Sequence, residues 1–323
     1  MLGKRSVWHV WEKRQWIGVF CIVLIVSFGS FYLYRQFLYR QLTQTAQQIH
    51  EPVKRPVPMK RSAPVELKRL PPISFLFIGV DERKGDRGRA DSLLVVTVNP
   101  NQPSVKMVSI PRDTRTVIVG KGKRDKINHS YAFGGVGMTV ATVERFLDIP
   151  IDYYVKVNMN GFRDIVDAVG GITVDNPFAF TYDKTAFPKG RIMLNGEKAL
   201  KYARMRHDDP RGGFGREDRQ KQVVEAVIQK GATSLLAYDD VLRAIARHVK
   251  TNLTLEQMKA IYTNYKRAHT NVEKLHLAGT STKINGVFYV IIPEKERQAV
   301  SKQLNAHLQI APSLPRKTKA LPQ

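Results

Sequence analysis

Hydrophobic residues along the chain fall first into one long uncharged run and then into short, regularly interrupted ones. Trp16 to Tyr34, WIGVFCIVLIVSFGSFYLY, is 19 residues without a charge, enough to cross a hydrocarbon core of about 30 Å as a helix. Beyond it, ISFLFIGV (73–80) and SLLVVTVN (92–99) are apolar or β-branched runs closed by turn signals, the pattern of buried strands. SVKMVSI (104–110) follows Asn99-Pro100 as the second arm of a hairpin, and IDYYVKVN alternates as a strand. GMTVATVERFLDI and GFRDIVDAVGG have a helical period, and LNGEKALKYA reads as a helix capped by Asn195. Helical patterns also cover 215–231, 238–250 and 254–268. EKLHLAG and GVFYVII add late strands, and 294–308 a last helix. Strands and helices interspersed without regular βαβ alternation predict an α/β/α domain over 73–310, its mixed central sheet covered by helices on both faces.

The flanks read differently. Trp8, Trp11 and Trp16 on one side of the long run and Tyr32 and Tyr34 on the other suit aromatic belts. The run continues into RQFLYRQLTQ without a small-residue cleavage motif, which favours an uncleaved anchor over a signal peptide. Lys4, Arg5, Lys13 and Arg14 precede it and Arg35 and Arg40 follow, so the expectation is a single-pass protein of the cell membrane. Residues 1–15 would then be cytoplasmic and everything after the span at 16–34 extracellular. Residues 35–72 read as a juxtamembrane segment and linker, proline-rich and without periodicity from 43 onward, and 311–323 as a loose tail.

Charge adds a constraint. Of 52 Lys+Arg and 28 Asp+Glu, net +24, the first 72 residues hold 12 and 3. The excess is spread over the chain, which points to an anionic environment or partner and not to a discrete nucleic-acid arm. The single cysteine, Cys21, excludes an intramolecular disulfide and a cysteine metal cage.

Candidate chemistry concentrates in Tyr202–Gln222, YARMRHDDPRGGFGREDRQKQ, with five arginines, one lysine and three glycines in 21 residues. Arginine's planar fork suits bidentate contact with phosphate or carboxylate. In an extended exit from the preceding helix, Arg204 and Arg206 share a face opposite Met205. The next helix has an apolar stripe at Val223 and Val227, and stepping back along it reaches Gln220 and Arg216. These two should face inward, with Arg219 and Lys221 off the stripe and Glu217, Asp218 and Glu225 in solvent. An inward arginine near a helix start, after glycines that let backbone come close, is either part of an anion site or a buried structural ion pair. In GVDERKGDRGRADS (79–92) a strand ends at Asp81 and the next opens with Asp91, with Arg89 two residues before it. Two carboxylates at adjacent strand ends either hold a hard cation or serve as turn formers. SIPRDTR brings Arg112 to the same sheet edge, and KINHSYAFGG supplies Lys126, Asn128 and His129, the last more in keeping with a structural hydrogen bond than with a base. HDD (207–209) beside five arginines fits ion pairing better than a metal site. No Walker-type lysine loop is present: GGVGMT lacks the lysine and the preceding strand.

The order GVD, RADS, SIPRDT, KINHSYAFGG, IDYYVKVNMNGF, VDAVGGI, LNGEKALKYARMR and FGREDRQ, after an anchor, closely resembles the LytR–CpsA–Psr family of membrane-anchored bacterial enzymes. The resemblance covers 73–231. It implies a phosphotransferase that moves a glycopolymer, teichoic acid or capsular polysaccharide, from a polyprenyl-pyrophosphate carrier to peptidoglycan. It further implies that Arg89, Arg112, Arg204, Arg206 and Arg216, with Gln220, hold the pyrophosphate, and that Asp81 and Asp91 hold Mg²⁺ or Mn²⁺. Arg89, Arg112, Asp81 and Asp91 would carry the catalysis, with the base that takes the acceptor's proton left open between Asp81, Asp91 and neither. The chain departs from the family at Gly213, where an aspartate usually precedes FGR. A membrane-anchored regulator or scaffold without transfer activity is the alternative, weakened by a presumed cytoplasmic segment of only about 15 residues, too short for a DNA-binding fold. Neither reading calls for nucleic acid.

Overall fold

The computed structural model describes residues 5–54, 61, 65–82, 85–206, 208–233 and 238–310, without the side chains of 5–19, 21, 22, 159, 160, 214, 228, 231–233, 238, 239 and 269. The side chains of Trp8, Trp11 and Trp16, the linker prolines Pro56, Pro58 and Pro64 and the tail 311–323 lie outside this set.

A long helix, α1 (Arg5–Ile49), opens the chain. Three strands follow, β1 (Ile73–Val80), β2 (Ala90–Asn99) and β3 (Ser104–Ser109), then a small hairpin of β4 (Arg115–Val117) and β5 (Arg124–Lys126). Next come α2 (His129–Leu147), β6 (Tyr153–Asn158) and α3 (Met159–Ala168). Four short strands, β7 (Ile172–Asn176), β8 (Phe180–Tyr182), β9 (Thr185–Phe187) and β10 (Gly190–Leu194), lead to α4 (Gly196–Arg204). The last third runs α5 (Gly213–Thr233), α6 (Tyr238–His248), β11 (Val249–Thr251), α7 (Leu255–Tyr265), β12 (Val272–Leu275), a hairpin of β13 (Thr280–Ile284) and β14 (Val287–Ile291), and α8 (Glu294–His307).

The central sheet has the order β11-β6-β1-β2-β3-β12. β6 pairs with β1 and β12 with β3 in parallel, and the other neighbours are antiparallel, so the mixed sheet expected from the sequence is present. Alternation along β1 divides its side chains between two cores. Leu76, Ile78 and Val80 join residues of α2 and α8, and Ile73 and Phe75 join Leu253, Tyr265 and partly buried residues of α7. A third cluster, built from α3, α4, β7–β10 and Val223, lies beside the sheet. α5 is wedged between clusters: Val223 packs into the third, while Val224 packs against the second. Local signals account for several ends. Asn99 Oδ1 accepts from the amides of Asn101 and Gln102 in the β2–β3 turn, and Asn195 accepts from Lys198 N at 2.9 Å as the predicted cap of α4.

One stretch departs from expectation. α1 continues through 43–49, where an aperiodic linker was expected, because Ala46 and Ile49 are buried and the chain then docks on β11. Glu51 N donates to Thr251 O at 2.7 Å, and Lys250 Nζ to Gln48 O at 2.7 Å. The apolar run at 16–34 does lie on α1. Among the described residues, however, no helix is long and apolar enough to cross a membrane.

Candidate functional site

The candidate residues meet at one edge of the sheet because β1, β2 and β3 are antiparallel neighbours. The C-terminal ends of β1 and β3 therefore lie beside the N-terminal end of β2. The β1–β2 register passes from Gly79↔Ser92 to Val80↔Ala90, leaving Asp91 as the extra residue of a bulge. Bulges of this kind re-aim a side chain at the end of a ladder. The intervening loop turns back through Gly88 at φ +67°, where a Cβ would stand 2.0 Å from Asp81 O, so only glycine lets the two strand ends close. Asp81 N then donates to Arg89 O at 3.3 Å.

Arg112 lies just past β3. Its Nη1 donates to Asp91 Oδ1 at 2.8 Å, and its Nε stands 3.6 Å from Asp113 Oδ2. Asp113 in turn takes Lys126 Nζ at 2.9 Å. From the other side, α5 presents Arg216 and, one turn later, Gln220, whose Oε1 accepts from Ser92 Oγ at 3.0 Å. Arg216 and Gln220 thus share the face expected from the helical period. Burial, followed by the positive charges of Arg112 and Arg206, pushes the Arg216 guanidinium below its ordinary pKa. The Nε atoms of both Arg112 and Arg216 are buried and make no hydrogen bond. Arg204 closes α4 and Met205 leaves it at φ −54°, ψ 135°, so Arg204 and Arg206 are not the extended pair expected; the Arg206 guanidinium lies 5.7 Å from the Phe288 ring centre. Arg89 and Arg204 are exposed, and among the described residues neither side chain forms a hydrogen bond or ion pair. Sequence-predicted residues therefore divide into a tight group (Asp91, Arg112, Arg206, Arg216, Gln220), a strand-end partner at Asp81, and two peripheral arginines.

Three expectations on α5 are corrected. Arg219, placed off the inward stripe, is 2 % exposed. It donates to Tyr202 O at 3.0 Å, to Met205 O and to Asp209 Oδ2, with its guanidinium 5.5 Å from the Phe180 ring. Lys221 is equally buried, and Glu217, expected in solvent, is buried too, its carboxyl pushed up to about 7 by desolvation. A helix packed on two clusters has a second stripe, and stepping back from Val224 lands on Lys221 and Glu217. Arg219 is likewise four residues before Val223, so its burial was readable from a wider stripe. The structural ion pair allowed for Arg216 is made by Arg219 instead. Asp209 is consumed by that pair, as the ion-pair reading of HDD requires, and Gly215 is needed beside it because a Cβ there would lie 1.8 Å from Asp209 Oδ2. His129 stands 3.0 Å from Asp125 Oδ1, in keeping with its structural reading. Asp113, Ser92 and Phe288 carried no sequence signal that set them apart.

Comparison with known proteins decides which family builds such a cleft. The LytR_cpsA_psr family model matches residues 36–306. The chain belongs to the LytR–CpsA–Psr family. It is 50 % identical over 298 residues, 91 % of this chain and 97 % of the relative, to the polyisoprenyl-teichoic acid–peptidoglycan teichoic acid transferase TagU of Bacillus cereus. Among solved structures it is similar to TagU of Bacillus subtilis, with 47 % identity and a TM-score of 0.62 over 76 % of this chain and 100 % of that one. It is also similar to the LytR-CPS2A-psr family protein YwtF (TagT) with bound octaprenyl pyrophosphate lipid. There the identity is 30 % and the TM-score 0.65, over 81 % of this chain and 100 % of that chain. The family match begins inside α1 and takes in the last third of the chain, well beyond the motifs at 73–231.

Proposed function

We propose that the arginine cleft at the strand ends grips the pyrophosphate of a polyprenyl-linked donor, and that Asp81 and Asp91 hold a divalent cation beside it. The protein is a transferase that attaches anionic cell-wall glycopolymer from such a carrier to peptidoglycan; its TagU relatives support teichoic acid as the polymer. One observation carries the assignment of the site. Three guanidiniums crowd together, and the buried Nε–H groups of Arg112 and Arg216 make no hydrogen bond. Buried donors are nearly always satisfied in folded proteins, and an oxyanion of the ligand supplies both the missing acceptors and the missing countercharge.

The acceptor's hydroxyl oxygen attacks the phosphorus that bears the glycopolymer. A new P–O bond forms, the bridging P–O bond of the pyrophosphate breaks, and polyprenyl phosphate leaves with the bridging oxygen. The hydroxyl proton passes to a carboxylate of the site or to water. Arg112, fixed between Asp91 and Asp113, and Arg216, fixed on α5, stand ready for the charge that develops on the phosphate oxygens, without reorganising during the step. Gln220 and Ser92 tie α5 to the strand that carries Asp91. Among the described residues no group of three or more His, Cys, Asp or Glu side chains is placed to hold a metal ion. Asp81 and Asp91 fit instead the Mg²⁺ habit of binding through one or two carboxylates plus substrate phosphates and water, and Mn²⁺ accepts the same oxygen donors. When bound, such a cation neutralises phosphate charge.

The same reading places the protein at the membrane. Ile25 and Phe28 on α1 are 70 % and 72 % exposed, amid a run of exposed apolar neighbours, a surface that suits lipid. The basic residues ahead of the run favour a cytoplasmic N-terminus and an extracellular catalytic domain.

Arg216→Ala tests the assignment. An arginine buried against two like charges with no acceptor at its Nε costs stability, so its removal should leave the melting temperature unchanged or raised. Transfer should fall by about 10²–10³-fold, and polyprenyl pyrophosphate co-purifying with the wild type should be lost from mass spectra. Undiminished transfer, or a large drop in stability, would assign Arg216 to the scaffold.

A further inference from the structure

We propose that the β4–β5 hairpin, braced by the β13–β14 hairpin, is a track for the repeating phosphodiester chain of the donor, so that several polymer units are held beyond the pyrophosphate. This rests on the transferase reading above. Arg115 and Lys126 stand directly opposite each other in the β4–β5 ladder, an arrangement of like charges that costs stability. Arg124, two residues before Lys126, falls on the same face. Only Lys126 has a carboxylate, Asp113 at 2.9 Å, while Asp125 is taken by His129 at 3.0 Å. The connecting turn adds Lys121 and Lys123, both exposed, with Nζ atoms 5.4 and 5.2 Å from the Phe133 ring. Among the described residues no carboxylate pairs with Arg115, Lys121, Lys123 or Arg124.

The second hairpin links this row to the cleft. It turns through Asn285 and Gly286 at φ 51° and 78°, as a tight hairpin requires. Its Val290 N donates to Asp113 O at 2.9 Å, within the short stretch that joins Arg112 to β4. The Phe288 ring centre lies 5.7 Å from Arg206 and 5.9 Å from Lys126, and the Tyr289 ring centre 5.8 Å from Lys126 and 5.9 Å from Arg115. Cations and rings therefore run from Arg206 in the cleft through Lys126 to Arg115, with Arg124 on the same face, and Lys121 and Lys123 add exposed charge at the hairpin's turn, beside Phe133. A pyrophosphate needs only the cleft. A row of cations flanked by rings, with a carboxylate only at Lys126, matches a chain with one negative phosphate per repeat and apolar ring or carbon faces between them.

The test is the full-length Lys121→Glu/Lys123→Glu/Arg124→Glu variant, whose substitutions lie on exposed positions outside the cleft. It is assayed with two lipid-linked donors, one carrying many phosphodiester repeats and one carrying sugars without them. The expected result is a loss of about tenfold in kcat/KM on the long donor, no change on the short donor, and a flatter salt dependence on the long donor, with an unchanged melting temperature. No loss on the long donor overturns the proposal. So does an equal loss on both donors, which would place the hairpin at the carboxylate-bearing acceptor or in the scaffold. A wild-type protein that transfers neither donor would overturn the transferase reading itself, a result distinct from either.

Discussion

The Arg219–Asp209 pair is the point where stability and activity are coupled most tightly. Arg219 spends its guanidinium on the carbonyls of Tyr202 and Met205 and on the Asp209 carboxylate, and so pins the backbone on both sides of Arg204 and just before Arg206. Both members of the pair are buried, so Asp209→Asn leaves a desolvated cation without its counterion. Breaking such a pair from one side costs about 3–5 kcal/mol. Arg219→Met strands the Asp209 carboxylate at a similar cost, with about 1–3 kcal/mol more for each carbonyl that loses its donor without gaining water. In the double variant Arg219→Met/Asp209→Asn neither charge remains, so the two losses should be strongly non-additive and much of the stability should return. Transfer should not return, because nothing then holds Met205 O and Arg206 is no longer set against the cleft. Urea unfolding of the four proteins, run beside transfer assays, reads both quantities. A single variant that unfolds within about 1 kcal/mol of wild type, or a double variant with restored transfer, would refute the reasoning.

Other expectations follow from burial and space. Glu217 is pushed from its ordinary 4.5 to about 7 by burial, so its contribution to stability is complete below pH 4.5 and lost as pH rises through about 7, some 3 kcal/mol in all. Glu217→Gln should remove that descent from the stability–pH curve. His307 shows the opposite sign: burial, with Lys106 nearby, lowers it from 6.5 to about 4 while it pairs with Thr97 and Ser104. Its contribution, also about 3 kcal/mol, is present above pH 6.5 and lost as pH falls through about 4. Difference curves between wild type and His307→Gln would lack this acid-side slope if the histidine were not desolvated. Gly213→Asp places the family's usual residue at the start of α5, where a Cβ meets nothing within 4 Å. A carboxylate there should add about 0.3–1 kcal/mol through the helix dipole, read as a higher melting temperature. A gain in transfer would show that this position also orients the neighbouring arginines.

By itself the sequence determined the parts and their chemistry. Period and turn signals yielded β1, β2, β3, β6, β12 and β14, the helices and the Asn195 cap, because these depend on neighbours a few residues apart, and left the short strands β4, β5, β7–β11 and β13 unread. The arginine-rich stretch and the aspartates at strand ends were visible as residue types in order, and so was the family. Partnership was not visible. Whether Arg216 or Arg219 would be the buried ion pair depended on α5 being wedged between two clusters, which gives the helix two inward stripes and buries Glu217 and Lys221 as well. Asp91's orientation came from a bulge in the register with β1, and Asp113's role from its reach to both Arg112 and Lys126. Phe288, 176 residues beyond Arg112, was brought to the cleft only when the late hairpin bonded to Asp113. These are contacts of large sequence separation, set by packing and register, and no local pattern in the chain encodes them.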